Sequence, residues 1–173
     1  MPITIANPSF EAGATHMQIP PASATRMDRL PQSCGVWGTD RVRPCGAEQG
    51  VVPADGRRML AFEQALPGPG DPSVSTADSC DLYQLVDLAP YADLIARGGC
   101  MLRLTAKVRD ASGPHDVQSL FVGRLSLFDK PPADILPAWP ETRSLAASEA
   151  AERLLSSGEA DCWQQVSATV SLP

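Results

Sequence analysis

The chain has 173 residues, 43% of them hydrophobic and 20% charged, which is the balance of a globular protein rather than of a disordered one. Its 14 basic and 20 acidic residues give a net charge of −6, which disfavours nucleic acid and anionic membrane surfaces as partners. No apolar run reaches the about 18 residues of a membrane span, and no signal peptide is visible at the N-terminus. We therefore predict a single domain over residues 1–173 without direct membrane insertion.

Proline is abundant and widely spread along the chain. Its 17 prolines make up about 10% of the residues, against a usual share of about 5%. Proline fixes φ and removes a backbone donor, so it suits turns, loops and edge strands rather than helix interiors. This distribution favours many short strands joined by turns, and the sequence predicts an all-β chain.

Turn and loop signals divide the first half of the chain. After a short apolar opening, Asn7-Pro8 begins a turn. At 54–57 a second turn contains Gly56, which is free to take a positive φ. No regular element can cross the Pro-Gly loop at 67–72. The strand candidates around these signals are residues 3–5, 58–63 and 82–88.

The clearest strand signal is the alternation of apolar and polar residues over 101–108 and again over 164–172. Successive side chains of a strand point to opposite faces of its sheet. Each segment therefore has one buried and one solvated face, as antiparallel sheets allow. The residues predicted to face the core are Leu102, Leu104, Ala106, Val108, Val166, Ala168, Val170 and Leu172.

Three further segments give weaker or conflicting signals. Residues 120–128 are apolar on both faces of a predicted strand, in which Gly123 marks a bulge or a close approach. Residues 90–96 favour one or two helical turns. The composition of 144–155 favours helix, whereas a β-sandwich requires this stretch to be extended as it leads into the last strand. We predict the extended form.

Seven short motifs, in the same order along the chain, carry a resemblance to a known family. They are Asn7-Pro8-Ser9-Phe10-Glu11, Trp37-Gly38-Thr39-Asp40, Gly46-Ala47-Glu48-Gln49-Gly50-Val51-Val52-Pro53, Gly56-Arg57-Arg58-Met59-Leu60, Tyr83-Gln84-Leu85-Val86-Asp87-Leu88, Pro90-Tyr91 and Trp163-Gln164-Gln165-Val166. In these motifs the chain resembles the galactose-binding-like jelly-roll domains, or carbohydrate-binding modules, of bacterial surface proteins. The subgroup it is most similar to is of planctomycete type and is associated with FecR-type regions.

The resemblance implies an antiparallel β-sandwich of jelly-roll type with one or two short helical turns. It also implies a non-catalytic binding or accessory module of an extracytoplasmic protein, in the periplasm or at the cell surface. The implied partners are a polysaccharide or neighbouring domains of the same polypeptide. The alternative is a ligand-free structural or protein-interaction spacer linked to a membrane-anchored FecR-type regulator. Such modules usually continue with further strands, so the domain is expected to lack its last strand or strands.

The resemblance also implies a structural calcium ion beside the Phe-Glu pair. Related modules often hold Ca²⁺ there, and Glu11 matches the first acidic ligand. Calcium requires six to eight oxygen ligands, and the acid that would close the site in the family is absent from this chain. The alternative interpretation is that Glu11 is an exposed turn carboxylate without a metal.

Sugar binding would need aromatic rings on which the C–H face of a sugar can pack. The candidates are Trp139, Tyr83 and Trp163. Trp139 lies in a proline-flanked loop and is the best exposed candidate. Trp163 falls on the polar side of its strand, where covering the end of the sandwich is the alternative role. Trp37 is predicted to be part of the core.

The cysteines and histidines do not form a recognisable catalytic or metal motif. Cys34 with Cys45 and Cys80 with Cys100 could close disulfides, which would leave Cys162 unpaired, or all five could be free buried thiols. The chain has only two histidines, and it contains no nucleophile elbow or phosphate-binding loop. We therefore predict that the protein is not an enzyme.

Overall fold

The structure is a computed structural model, and it describes residues 5, 7–13, 17–18, 33–39, 42–62, 80–111, 119–135, 137, 145–157 and 162–173. Over these residues the regular structure is mostly strand, with only short helices. The strands are β1 (Met17–Gln18), β2 (Trp37–Thr39), β3 (Val42–Cys45), β4 (Met59–Phe62), β5 (Leu82–Gln84), β6 (Met101–Val108), β7 (Leu120–Leu127), β8 (Ser148–Leu155) and β9 (Gln164–Ser171). The helices are a 3₁₀ turn (Ala89–Tyr91), α1 (Ala92–Ile95) and α2 (Pro132–Ile135). The predicted mainly-β class is confirmed.

The strands pair in four small sheets. One has the order β1-β2-β5, and the others are the pairs β3-β4, β6-β9 and β7-β8. All of these pairs are antiparallel except β1-β2, which is parallel. That parallel pair was not expected from the sequence. The jelly-roll sandwich, which is a finer statement than the mainly-β class, stays a prediction.

The contacts of the chain group it into two compact units. The first unit comprises Met1–Asp87 with Pro132–Pro140, and the second comprises Leu88–Pro131 with Glu141–Pro173. Each unit contains its own paired strands. The single domain over 1–173 stays a prediction.

The first unit is centred on β2, in which all three residues are buried. The ring of Trp37 is 8% exposed and lies with its centroid 5.7 Å from that of Phe10, so the predicted core position of this tryptophan is confirmed. Thr39 is fully buried, and its hydroxyl donates a hydrogen bond to the carbonyl of Gln18 at 3.2 Å. The other buried apolar residues of this unit are Val42, Cys45, Val51, Met59 and Ile135.

The second unit is built from two long antiparallel ribbons, β6-β9 and β7-β8. Each ladder runs over eight residue pairs. In β6, exposed and half-buried residues alternate along the whole strand, and in β9 the three most buried residues are Val166, Ala168 and Val170. The two-residue periodicity predicted for both strands is confirmed, with β9 ending one residue before Leu172.

The two ribbons of the second unit approach each other closely at Gly123. A Cβ atom at this position would lie 3.2 Å from Cγ2 of Val166 and 3.8 Å from Cδ2 of Leu104. Because the glycine has no side chain, the backbone of β7 can pack directly against the inward apolar side chains of β6 and β9. Of the two roles that the sequence predicted for Gly123, the close approach is confirmed.

Three segments can be compared with the secondary structure that their local sequence predicts. Residues 148–155 form β8, so the extended prediction for 144–155 is confirmed over this stretch in spite of its helical composition. The reason is that the eight-pair ladder with β7 outweighs intrinsic propensity, which amounts to less than about 1 kcal/mol per residue. The helical turns predicted over 90–96 are also present. The strand predicted over 82–88 is shorter and ends at Gln84.

Adding a side chain at Gly123 is expected to destabilise the second unit. Gly123→Val places methyl groups where Val166 already lies, and overpacking of this kind costs about 1–3 kcal/mol. Urea unfolding measures the loss. The control is Ala151→Val, which creates the same side chain by adding two methyl groups at an exposed position of β8 and should change stability by less than about 0.5 kcal/mol. Equal effects of the two substitutions would contradict the close packing at Gly123.

Candidate functional site

The motif at 7–13 folds into a turn that is fixed by the side chain of Asn7. The Oδ1 atom of Asn7 accepts a hydrogen bond from the amide of Ala12 at 3.1 Å, and its Nδ2 atom donates to the carbonyl of Gly13 at 3.3 Å. The backbone adds a bond from the amide of Phe10 to the carbonyl of Asn7 at 3.2 Å. These bonds hold the turn so that Phe10 contacts Trp37, while Glu11 is held in the same turn.

The carboxylate of Glu11 binds the backbone of the turn at 54–58. Its Oε1 atom accepts hydrogen bonds from the amides of Arg57 at 2.6 Å and Arg58 at 2.8 Å. The Nε atom of Arg57 lies 3.8 Å from Oε2. We call this arrangement, the Glu11 carboxylate with the amides of Arg57 and Arg58, the Glu11 clasp. It joins two segments that are 46 residues apart in sequence.

Gly56 makes room for the clasp. Its φ is +63°, as predicted for this turn. Glycine adopts this conformation without steric strain because it has no side chain. A Cβ atom at this position would collide with Oε1 of Glu11. The amide of Gly56 donates to the carboxylate of Asp55 at 3.0 Å, so the turn is also closed locally. Glycine is therefore required here by backbone conformation and by space.

The loop that precedes this turn is stabilised by hydrogen bonds of its own. Glu48 and Val51 exchange two backbone hydrogen bonds, of 3.0 and 2.8 Å, around a two-residue turn. The guanidinium of Arg43 on β3 binds both carboxylate oxygens of Glu48, at 2.9 and 2.6 Å. Two parallel bonds of this kind fix geometry better than one does. The segment between β3 and β4 is thus held at Glu48 and again at the Glu11 clasp.

The surroundings of Glu11 bear on the predicted calcium ion. The hydrogen bonds from the amides of Arg57 and Arg58 lower the pKa of Glu11 below its usual range, because they stabilise the charged form. Amide donors suit an anion, so they do not fit a cation at the same oxygen. Among the described residues, no three acidic, histidine or cysteine side chains come together as a metal site. Calcium at Glu11 stays a prediction, and the clasp gives the carboxylate a structural role.

The aromatic residues proposed for sugar binding are placed as follows. Tyr83 lies on β5 of the first unit, where it is the cross-strand partner of Gly38, and it is half-buried. Trp163 immediately precedes β9 in the second unit and is also half-buried. Trp139 lies outside the described residues. A stacking role for these three residues stays a prediction.

All five cysteines are free thiols in the structure. Cys45, the last residue of β3, is buried, and its burial, together with the nearby carboxylate of Glu48, raises the pKa of its thiol. Burial likewise raises the pKa of Cys34, with Asp87 contributing. The structure thus has no disulfide among the five, but of the thiols expected to be buried only Cys45 is so.

The second unit presents an exposed face on the outside of β6 and β9, which we call the polar face. Cross-strand partners share a face of a ladder, and here Arg103 lies opposite Thr169, Thr105 opposite Ser167, and Lys107 opposite Gln165. The polar face therefore carries hydroxyl, amide and cationic groups. Its full membership is Met101, Arg103, Thr105, Lys107, Gln165, Ser167, Thr169 and Ser171.

The edge of the polar face is bound by an acid from the neighbouring ribbon. The Oε2 atom of Glu152 on β8 accepts a hydrogen bond from the amide of Ser167 at 2.7 Å and another from its hydroxyl at 3.0 Å. An amide at the edge of a two-stranded ladder needs a partner outside the ladder. Glu152 supplies that partner from the side chain of β8.

The outside of β7 and β8 has a different character, and we call it the apolar face. Leu120 pairs with Leu155, and the next outward pair joins Val122 of β7 to the exposed Arg153 of β8. The side chains of Leu120, Leu155 and Val122 are exposed by 53%, 57% and 44% respectively. At the other end of this face the Nε atom of Arg124 binds Oε1 of Glu149 at 3.1 Å.

The sequence predicts the alternation that defines the polar face, but it does not predict either face as a candidate site. It predicts only that the polar positions of 101–108 and 164–172 are solvated. The signal that could have marked them is the absence of any acidic residue from both segments in a chain of net charge −6.

No protein-family model matches the chain, and neither a curated protein nor a solved structure matches it. The resemblance to galactose-binding-like domains, with the ligand class and the compartment that it implies, therefore stays a prediction. Among the described residues, no helix combines the length and the apolar character needed to cross a bilayer.

The lowered pKa of Glu11 predicts a loss of stability in acid. The clasp is complete above the ordinary carboxyl pKa of 4.5, and its stabilisation is lost as the pH falls through the lower pKa of the folded state. Glu11→Gln removes this charge, so wild type should be the more stable protein at pH 7, with the difference shrinking below pH 4.5. Urea unfolding at each pH measures the difference.

The control for this titration is Asp134→Asn. Asp134 is exposed in the first unit, and no hydrogen bond to its carboxylate is found among the described residues. The amide resonances of Arg57 and Arg58 in wild type report on the clasp directly and should titrate below pH 4.5. Titration of these amides at or above pH 4.5 would contradict the clasp.

Alanine at Gly56 should cost more stability than alanine at Gly50. Both glycines have a positive φ, and alanine pays about 1–2 kcal/mol for that conformation. A Cβ atom at Gly50 meets nothing within 4 Å, whereas one at Gly56 meets Glu11. Gly56→Ala should therefore exceed Gly50→Ala in urea unfolding, and the excess should vanish when both are made in a Glu11→Ala background. An excess that persists there would have a cause other than the clasp.

Proposed function

We propose that this chain is a non-catalytic binding module for polysaccharide in an extracytoplasmic bacterial protein. The observation that supports this most directly is the polar face of β6 and β9. Its outward residues include the hydroxyl groups of Thr105 and Thr169 and the amide of Gln165, whereas the hydroxyl of Ser167 already donates to Glu152. Such groups both donate and accept hydrogen bonds, as a sugar hydroxyl does.

The shape of the polar face also suits an extended ligand. Eight residue pairs in continuous register make a long and regular surface, along which side chains of one face recur every second residue. A polysaccharide can use several weak contacts on such a surface at once, and linked contacts strengthen one another through their high effective concentration. A single sugar would gain only a fraction of this binding.

The proposal is non-catalytic because the sequence offers little for catalysis. Its two histidines, His16 and His115, both lie outside the described residues. Acid–base work could in principle rest on carboxylates alone. Among the described acids, Glu11 and Glu152 bind backbone amides, and Glu48 and Glu149 bind arginine side chains. Tyr83, Trp139 and Trp163 remain the candidates for a stacking contact with sugar.

A second candidate function is that of a protein-interaction or spacer module linked to a membrane-anchored FecR-type regulator. The apolar face supports it, because Leu120, Val122 and Leu155 are large apolar side chains that stay exposed. Grouped exposed apolar residues favour contact with another protein surface. This candidate needs no small ligand and no polysaccharide.

Affinity electrophoresis separates the two functions. Wild type is run in native gels that contain a neutral polymer such as xylan or an acidic one such as polygalacturonate, beside a gel without polymer. Polysaccharide binding predicts retardation in at least one polymer, relative to a reference protein of similar charge. Retardation in none of them would overturn the proposed function and leave the interaction module.

The retardation should depend on the hydroxyl groups of the polar face. The variant Thr105→Val with Thr169→Val removes two of them while keeping the shape and β propensity of the side chains. Retardation should fall in this variant. It should be unchanged in the control Ser126→Val, which alters the outward side of β7. Loss in the control alone would place the binding surface elsewhere.

A further inference from the structure

The polar face is cationic in an acidic protein. The only charged residues contributed by β6 and β9 are Arg103 and Lys107, although the chain as a whole has 14 basic and 20 acidic residues. Both point to the same side of the ladder, since they are separated by an even number of residues. The acidic residues that dominate elsewhere in the chain are thus excluded from both strands.

The two cations are available for a ligand. Both residues are exposed, and among the described residues neither forms an ion pair or a hydrogen bond. The outward arginine of β7 differs in this respect, because Arg124 is bound to Glu149 at 3.1 Å. An ion pair between exposed side chains screens each charge from a third partner, and Arg103 and Lys107 have no such screen.

The spacing of the two cations defines a minimum ligand length. They are four positions apart in an extended strand, which corresponds to about 13 Å along β6. Between and beside them lie the hydroxyl and amide groups of Thr105, Ser167 and Gln165. A ligand that meets both cations must therefore be extended, carry anionic groups at intervals, and offer hydroxyl groups between them.

We propose that the polar face binds an acidic polysaccharide whose sugar units carry carboxylates, that is, a polyuronate. This inference rests on the proposed function and names its ligand class. The guanidinium of Arg103 matches a carboxylate in two-point geometry, whereas the ammonium of Lys107 acts as a point charge. The hydroxyl and amide groups between them bind the hydroxyl groups of the sugar rings.

The charge of the face favours a moderately charged polymer over nucleic acid. Glu152 binds Ser167 at the strand edge, so the two cations and this carboxylate leave one net positive charge. Binding to DNA depends mainly on neutralising many closely spaced phosphates with Lys and Arg. A face with two cations in a chain of net charge −6 does not meet that requirement.

The experiment compares two double variants that remove the same charge. Arg103→Gln with Lys107→Gln alters the polar face. The matched control, Arg153→Gln with Lys130→Gln, removes an exposed arginine and an exposed lysine elsewhere in the second unit. Binding of wild type and both variants to polygalacturonate, xylan, double-stranded DNA and monomeric galacturonate is measured by affinity electrophoresis and calorimetry at low and at physiological salt. Circular dichroism checks that each variant is folded.

The expected result is binding to polygalacturonate that weakens as salt screens the charges. The Arg103/Lys107 variant should bind about tenfold more weakly, which is the effect expected from two exposed charge contacts. The control should bind as wild type does. Monomeric galacturonate should bind far more weakly than the polymer, since it cannot span about 13 Å.

The failures of the inference and of the proposed function are distinguishable. Binding to xylan but not to polygalacturonate would overturn the acidic ligand and keep the polysaccharide module. Binding to none of the polymers would overturn both. Equal losses in the two double variants would show a general effect of net charge, and equal binding to DNA would show general polyanion binding. Either of these results would overturn the acidic-polysaccharide inference.

If Arg103→Gln with Lys107→Gln does not fold, charge reversal at Lys107 alone (Lys107→Glu) replaces it. Unchanged binding of that variant to polygalacturonate would contradict the proposal.

Discussion

The register of the β6-β9 ladder decides what the second unit buries and what it presents. Because side chains alternate between faces, a slip of one residue would exchange every inward residue for an outward one. In the observed register, Val166, Ala168 and Val170 are buried and Arg103 and Lys107 are exposed. Close contact between Gly123 and Val166 opposes any slip, since only a glycine on β7 leaves room for the valine. The packing of the core therefore determines which residues of β6 and β9 point outward and make up the polar face.

In both units a carboxylate accepts hydrogen bonds from backbone amides that lack an acceptor on a neighbouring strand. Glu11 binds the amides of Arg57 and Arg58 in the first unit, and Glu152 binds that of Ser167 in the second. Backbone donors without a partner are costly when water is excluded, and a charged acceptor forms a stronger bond than a neutral one. In Glu11 both amides donate to the same oxygen atom, Oε1. The high acidic content of the chain thus serves structure in at least these two places.

The two outward faces of the second unit divide its surface chemistry. Hydroxyl and cationic groups lie on β6-β9, while Leu120, Val122 and Leu155 lie on β7-β8. The two ribbons of this unit thus present different chemistry on their outward sides. The first unit contributes a rigidly held turn and loop instead, in which the Glu11 clasp and the pair Arg43–Glu48 fix the segments around Gly56.

Local sequence determined the features that depend on near neighbours. Alternation located β6 and β9, the turn at 54–57 was marked by Gly56, and the helical turns after Leu88 were visible in 90–96. Tertiary structure decided the rest. Residues 148–155 are a strand because β7 offers eight pairing partners, and Glu11 is a structural acceptor because amides 46 residues away come within reach. The parallel pairing of β1 with β2 likewise has no local signal. In each of these cases the deciding partner is distant in sequence, and neither propensity nor periodicity carries information about which distant backbone groups a residue will meet.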